Sequence, residues 1–470
     1  MSTDITTTAA PGAARRSRTE RAPRRSPTEF TFPLDEALVR RWAAEEPDWL
    51  ASDRLAALER FAGSPIEPNV LYTTYLDLRA ADLADVTAYG GAGSAPDGPA
   101  SLPEGAAALA EFREDRFARL ALDAEATAAG VRVETLGAMV AREGTGARAL
   151  LELMPALPAD DRLAQLIRAG WNQAVVVDVP DGVRLERPIV VRWSVGAPGR
   201  AVIARTLIRL GRDAEASIVE EIVPSGAAGD PAATGQSLFA GSTQVLLGPG
   251  AKLVVAGLQE SNASTVVLQH RIALIGEGAA MKWALGQLGG RLVRSRIDNR
   301  LDGDRSAVEQ VEIVYGADEQ LFDLTSYTVH IGRDATSDLL SKAVLQDGAR
   351  TFLKGLVTIE KTAVGTDSFL GEYGMNLSRR ARAVAIPSLE IDQPDCRRVA
   401  HSSSVGPIDE TQLFYLESRG ITPEDARKFI VLGYLEPVVA KVPLASAQDR
   451  LRSLLEAKWD AGHPQTEAAA

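Results

Sequence analysis

Cysteine is almost absent from this 470-residue chain, which carries one thiol, Cys396. A single cysteine excludes an internal disulfide and leaves no CxxC pair for zinc or a cluster. That usage fits a reducing, cytoplasmic setting. Histidine is scarce too, and His270, His330, His401 and His463 show neither HxH nor HExxH spacing. No apolar run approaches the roughly 20 residues of a membrane span, and no membrane partner is expected. The N-terminal arginines are followed by no apolar segment, so a secretory signal is not expected there. Nucleotide loops are missing as well. Gly248-Pro-Gly-Ala-Lys lacks the spacing and the Ser/Thr of a P-loop, and Gly276-Glu-Gly sits between strand patterns rather than before a helix. ATP hydrolysis is therefore expected of a partner, not of this chain. Positive charge is in deficit, and a formal charge of −12 argues against nucleic acid as a general partner.

What remains is ordinary soluble composition, 45% hydrophobic and 24% charged, in a chain long enough for a large core. Residues 1–28 read as a disordered basic tail, with Arg15, Arg16, Arg18, Arg21, Arg24 and Arg25 among Thr, Ser, Ala and Pro. Residues 29–167 read as a mainly helical domain. Trp42, Trp49, Leu50, Leu55, Leu58 and Phe61 recur near helical spacing. Gly90–Gly105 reads as a loop, and helical patterns return across Ala106–Val140, Gly146–Leu153 and Asp160–Ile167.

Near Asn172 the texture becomes β-branched, and an internal repeat begins. Leu210-Gly-Arg-Asp-Ala-Glu-Ala, Leu247-Gly-Pro-Gly-Ala-Lys-Leu and Ile275-Gly-Glu-Gly-Ala-Ala-Met share one plan: strand, tight turn, small residue, strand. Leu301-Asp-Gly-Asp-Arg-Ser-Ala and Gln346-Asp-Gly-Ala-Arg-Thr continue it. Short strands recurring about 25–45 residues apart indicate a solenoid, because stacked coils bury one continuous inward row. A parallel β-helix over 168–405, rather than a β-sandwich, is the expected core. A helical domain at 406–470 completes a mainly β fold with helical ends.

The stretch from Cys396 to Gly433 is the most informative. Asp409 is placed to cap a helix over Glu410–Arg419, with Gln412 completing a capping box, and Gly420 allows a left-handed turn. Thr422 caps the next helix with Pro423 at its first position. Pro437 then suits a further helix start, and Leu451, Leu454, Leu455 and Trp459 form a helical stripe. Phe414→Ala would cost about 3–5 kcal/mol if that side chain is buried.

The run His401-Ser-Ser-Ser-Val-Gly, with Leu413-Phe-Tyr-Leu, Ser418-Arg-Gly-Ile and Ala426-Arg, resembles the SufB/SufD family of iron–sulfur cluster assembly proteins. Pro387-Ser-Leu-Glu-Ile, Gly355-Leu-Val-Thr-Ile and Lys361-Thr extend the resemblance upstream. It implies a parallel β-helix between helical ends and a non-enzymatic subunit of an assembly complex. SufB-type scaffolds carry cysteine where this chain has Thr366, and His-Glu where it has His401-Ser402. Both departures favour the SufD-type branch. Its implied partners are a SufB-type scaffold, met through the β-helix, and a SufC-type ABC ATPase, met through the C-terminal helices. Ala426, Phe429 and Ile430 share a face beside Arg427 and Lys428, which either packs internally or meets the ATPase; Glu417 belongs to the same candidate surface.

His401 is the candidate metal ligand. It is expected where the β-region yields to a Ser/Gly turn, ring outward, and a neutral imidazole can ligate iron. Cys396 is a secondary candidate. Many SufD-type sequences place cysteine two residues before the histidine, where this chain has Val399, so that role does not carry over to Cys396. A buried or incidental thiol is the competing reading. No cluster is expected on the chain alone, only a transient cluster or iron at the scaffold interface. His270 and His330 read as structural. Three alternatives stand: a SufB-like scaffold, a homodimeric SufB/D-like subunit, and a β-helix carbohydrate-active enzyme. The last needs a carboxylate cluster on the coils, whereas Glu220-Glu221 and Asp302/Asp304 read as solvated turn and edge residues.

Overall fold

Sixteen parallel strands wind between two facing sheets, and the computed structural model describes residues 25–90, 98–99, 101–226 and 235–462. The first sheet stacks Gln173–Val179, Arg200–Leu210, Ser237–Leu247, Thr265–Ile275, Leu292–Leu301, Leu321–His330, Arg350–Ile359 and Arg382–Ile391. The second stacks Ile189–Val195, Glu215–Pro224, Lys252–Gln259, Ala280–Gln287, Ala307–Gly316, Thr336–Leu345, Asp367–Asn376 and Arg398–Gly406. Coil pairs with coil in unbroken register, for example Leu247 with Leu210 and Val266 with Leu292. The expected parallel β-helix is the fold of this chain.

The repeated turn explains why these segments stack. One residue in each takes a left-handed conformation: Asp213, Gly250, Gly278, Arg305, Asp334 and Gly365. Their N–H groups donate to the next coil's turn, as from Gly250 to Glu277 O (2.8 Å) and from Gly365 to Asp395 O (2.7 Å). The hydrogen-bond ladder thus continues around the corner. Ala214, Ala251, Ala279 and Ala335 follow, fully buried, where a larger side chain would not fit between coils.

Helices cover both sheets. α1 (Glu36–Glu45), α2 (Asp48–Gly63), α3 (Ala124–Ala128), α4 (Leu136–Leu153) and α5 (Arg162–Gly170) belong to the N-terminal region. Leu163, Leu166 and Leu50 pack with Ile203, Leu207 and Leu268 of the first sheet. Arg54 of α2 pairs with Glu46 (2.9 Å from Nε), donates to Ala169 O and Trp171 O, and lies over the Trp42 and Trp171 rings. One ionic cluster joins this region to the coils: Arg294 to Glu67 (2.8 Å) and Asp323 (3.2 Å), and Lys354 to Asp323 (2.7 Å).

The helical expectation for Ala106–Val140 holds only at Ala124–Ala128 and from Leu136 onward. Before Leu136 the stretch forms a hairpin, Ala108–Arg113 with Arg116–Leu122, then α3 and a strand, Arg132–Thr135. The hairpin joins the first strand of the second sheet in parallel, and Arg132–Thr135 flanks the first sheet. Phe112 stacks between Phe117 and Trp193, with centroids 4.8 and 4.3 Å away. Covering the first coil's apolar edge outweighs the helix preference of alanine. The basic arm and His463 lie outside the described residues, except that Arg25 is anchored to Ala81 O (3.1 Å) and Asp82 (3.2 Å).

At the other end, α6 (Glu410–Ser418), α7 (Pro423–Val439) and α8 (Ala445–Gly462) follow the last strand. Val431, Leu435, Val438, Leu451, Leu455 and Trp459 pack on Ala256, Leu258, Val311 and Ile313 of the second sheet. Pro437 begins no new helix; α7 runs through it. The buried face of α7 continues on both sides of Pro437, so sheet packing holds the helix across the lost hydrogen bond. Among the described residues, no helix is long and apolar enough to cross a membrane.

Candidate functional site at the open end of the solenoid

The last strand of each sheet is paired on one side only among the described residues. Apart from the Ile386 N–H, held by Glu372, and Pro387, which has no N–H, Arg382–Ile391 and Arg398–Gly406 therefore present unpaired N–H and C=O groups along the rim, a template for another strand. Inward rows carry core residues in every coil below, but among the described residues no further coil stacks on the last one, and its inward row is only partly covered. Ile391 and Val405 are left 49% and 41% exposed.

His401 sits in this rim. The expected turn is strand: His401-Ser-Ser-Ser-Val-Gly is paired from Leu370 to Met375 in the strand below. Leu370 belongs to the core, so the register puts His401 on the inward row of an uncapped coil. Its ring is exposed and makes no hydrogen bond within the described residues. It is available at the mouth of the solenoid rather than pointing away from it.

Cys396 is in the turn before that strand and packs partly against the core. Its Sγ donates to Gln393 O (3.1 Å), and burial with nearby Asp395 raises its pKa. A thiol held protonated is a poor ligand. Thr366, at the position of interest for cysteine, is fully buried, with Oγ1 donating to Ala363 O (2.9 Å). Among the described residues, no group of three His, Cys, Asp or Glu side chains could hold a metal. The two other histidines among the described residues are tied into the fold. His270 contacts Asp298 (2.5 Å), and His330 meets Ser337 (2.9 Å) with its pKa pushed by burial to about 4.

Behind the mouth runs a row that alternation had hidden. Glu220 is not solvated as expected; it faces the interior, accepting from Thr206 (3.1 Å) and Thr243 (3.1 Å). Glu221 is also buried, paired with Arg192 (2.6 Å). Glu312 accepts from Ser295 (2.8 Å) and Gln287 (2.9 Å), with its pKa raised by burial. Glu372, opposite Ser403 of the last strand, accepts the Ile386 N–H at 2.8 Å. Burial pushes its pKa to about 7. Isolated acidic residues in a repeat carry no sequence signal for burial; only the register reveals it.

Glu372 makes stability pH-dependent. Below the unfolded value of 4.5 the carboxyl is protonated in both states and no penalty exists. The penalty grows as pH rises from 4.5 to about 7, where ionisation must occur inside the coil. It then levels off at on the order of 3 kcal/mol. Glu372→Gln keeps the acceptor for Ile386, so it should match wild type in urea unfolding at about pH 4 and exceed it at about pH 8. Parallel pH profiles would contradict this.

The C-terminal helices form the second feature of this end. Asp409 caps α6 through Thr411 N–H (2.8 Å), without the expected reciprocal bond from Gln412. Thr422 caps α7 as expected, accepting from Asp425 N–H (3.2 Å). The burial posited for Phe414 is absent: Phe414, Tyr415 and Phe429 are 72%, 57% and 64% exposed. Ala426 is buried, so the α7 face is split between core and solvent. Glu417 and Arg427 are exposed, whereas Lys428 is half-buried in an ion pair with Asp460 of α8 (2.9 Å).

Comparison with known proteins converges on one family. The model described as "SUF system FeS cluster assembly, SufBD core domain" matches residues 193–434. A SufBD family iron–sulfur cluster assembly protein of Mycobacterium leprae is 28% identical over 334 residues, 70% of this chain and 80% of that protein. SufD of Bacillus subtilis is 27% identical over 300 residues, 64% of this chain and 67% of that protein. SufB of the same organism is 25% identical over 295 residues, covering 63% and 62%. Two relatives with different subunit names stand at similar distance, so identity fixes the family and not the branch. With its β-helix and its matched core, the chain belongs to the SufBD core family of the SUF iron–sulfur cluster assembly system.

Proposed function

We propose that this chain is a SufD-type, non-enzymatic subunit that pairs with a SufB-type scaffold at the open end of its β-helix and recruits a SufC-type ABC ATPase through α6 and α7. The observation that carries the reading is His401, exposed on the inward row of a coil on which no further coil stacks among the described residues. A strand pair from a second solenoid would extend both sheets and bury Ile391 and Val405. His401 would then face the scaffold's own ligands. Iron or a nascent cluster is cargo there, and one imidazole needs about three further ligands from the partner. The buried hydroxyl of Thr366 supports the SufD-type branch, since a threonine in that place offers no thiolate. The same rim could pair with a second copy, and the assembly's mass distinguishes the two.

Co-expression with SufB-type and SufC-type proteins, followed by native mass measurement, tests the pairing. One copy of this chain beside one scaffold is expected; a homodimer that excludes the scaffold would overturn it. The ATPase contact is tested separately. Phe414→Ala with Phe429→Ala should reduce ATPase capture at least about tenfold and shift stability by less than about 1 kcal/mol, because both rings are solvated. Charge reversal at Lys428 is a poorer probe, since it also breaks the link to Asp460. Full ATPase retention by the double variant would exclude this surface.

A further inference from the structure

Far from the open end, the N-terminal helices roof a cavity of about 510 Å³ on the outer face of the first sheet. Trp49 and Leu50 of α2, Leu151 of α4, and Met154 and Leu157 beyond it give apolar walls. The floor is Arg205 and Gln244, from neighbouring strands. Arg205 is only 5% exposed. Its Nε and Nη2 both donate to Gln244 Oε1 (3.1 and 2.8 Å), and Gln244 is itself fixed by donating to Pro155 O (2.8 Å). Nη1 has no acceptor among the described residues.

The other charges of the cavity are already matched. Asp53 is engaged by Arg168 of α5, and Arg148 pairs with Glu152 (2.7 Å). No carboxylate lies within ion-pair distance of Arg205 among the described residues. Burial lowers its pKa to about 10; Asp53 opposes that shift, while Arg168 and Arg54 add to it. A desolvated guanidinium facing one neutral amide is costly, and an uncharged side chain would pack as well.

We infer that this cavity binds a small organic anion, its acidic group on Arg205 and its flat apolar body against Trp49, Leu50 and Met154. The volume suits such a ligand, since small-molecule sites span roughly 300–1,000 Å³. Carboxylate and phosphate monoester share the required chemistry, and a guanidinium receives either.

Calorimetric titration of the full chain with 1-naphthoate, 1-naphthyl phosphate and the neutral 1-naphthalenemethanol tests this. At least one anion should bind saturably and about tenfold or more tighter than the alcohol, and the tighter anion identifies the head group. Arg205→Met should abolish that preference. Ser52→Trp, on the exposed rim, should block binding without altering a buried charge. The inference is overturned by equal binding of the alcohol, by no saturable heat from either anion up to about 10 mM, or by unchanged anion affinity in Ser52→Trp.

Discussion

Glu67→Ala is expected to cost about 3–5 kcal/mol in the isolated chain, although Glu67 lies in neither sheet. Its carboxylate is buried among Arg294 (2.8 Å), the Tyr327 hydroxyl (3.2 Å) and the Asn69 N–H (3.1 Å), with Lys354 at 3.9 Å. With Asp323 it balances two buried cations. Removing it leaves Arg294 and Lys354 sharing one carboxylate inside the protein, and it orphans a backbone donor. The same change frees the segment that carries Val70, Leu71 and Tyr72, of which the first two are exposed. Urea unfolding should show the shift, and limited proteolysis should cut first in the N-terminal region. Glu59→Ala, on the exposed face of α2, is the control. A shift under about 1 kcal/mol would mean that this cluster does not fasten the N-terminal region to the coils.

The repeat could be read from the chain because its turns are stereochemically marked. Gly250, Gly278, Gly365, Asp213 and Asp334 each stand where the backbone turns left-handed. The hairpin was not legible. Ala106 to Ala110 has the composition of a helix, and nothing local reveals that it must shield Trp193. His401 was recognisable as a residue but not in its setting. A Ser-rich run ending in glycine resembles a turn until its partner strand, Asp367–Asn376, supplies the register. The exposure of Phe414 was hidden for the opposite reason, since an aromatic pair flanked by Leu413 and Leu416 reads as core. Glu372 and Arg205 had no signal at all. Their significance comes from what surrounds them in space.

His401→Ala should leave folding nearly untouched, within about 0.5 kcal/mol, because the ring is exposed and unbonded within the described residues. The variant should still assemble with its partners, since pairing along the rim uses backbone groups. Cluster retention on the complex should nevertheless fall at least about tenfold, as for loss of a ligand. Cys396→Ser should cost far less, because that thiol is kept protonated and hydrogen-bonded to Gln393. The deciding measurement is iron and acid-labile sulfide per purified complex after anaerobic reconstitution, for wild type, His401→Ala and Cys396→Ser side by side. A cluster retained by wild type and Cys396→Ser but lost from an intact His401→Ala complex is the predicted result. Equal cluster content in all three would show that the histidine at the solenoid mouth is not a ligand.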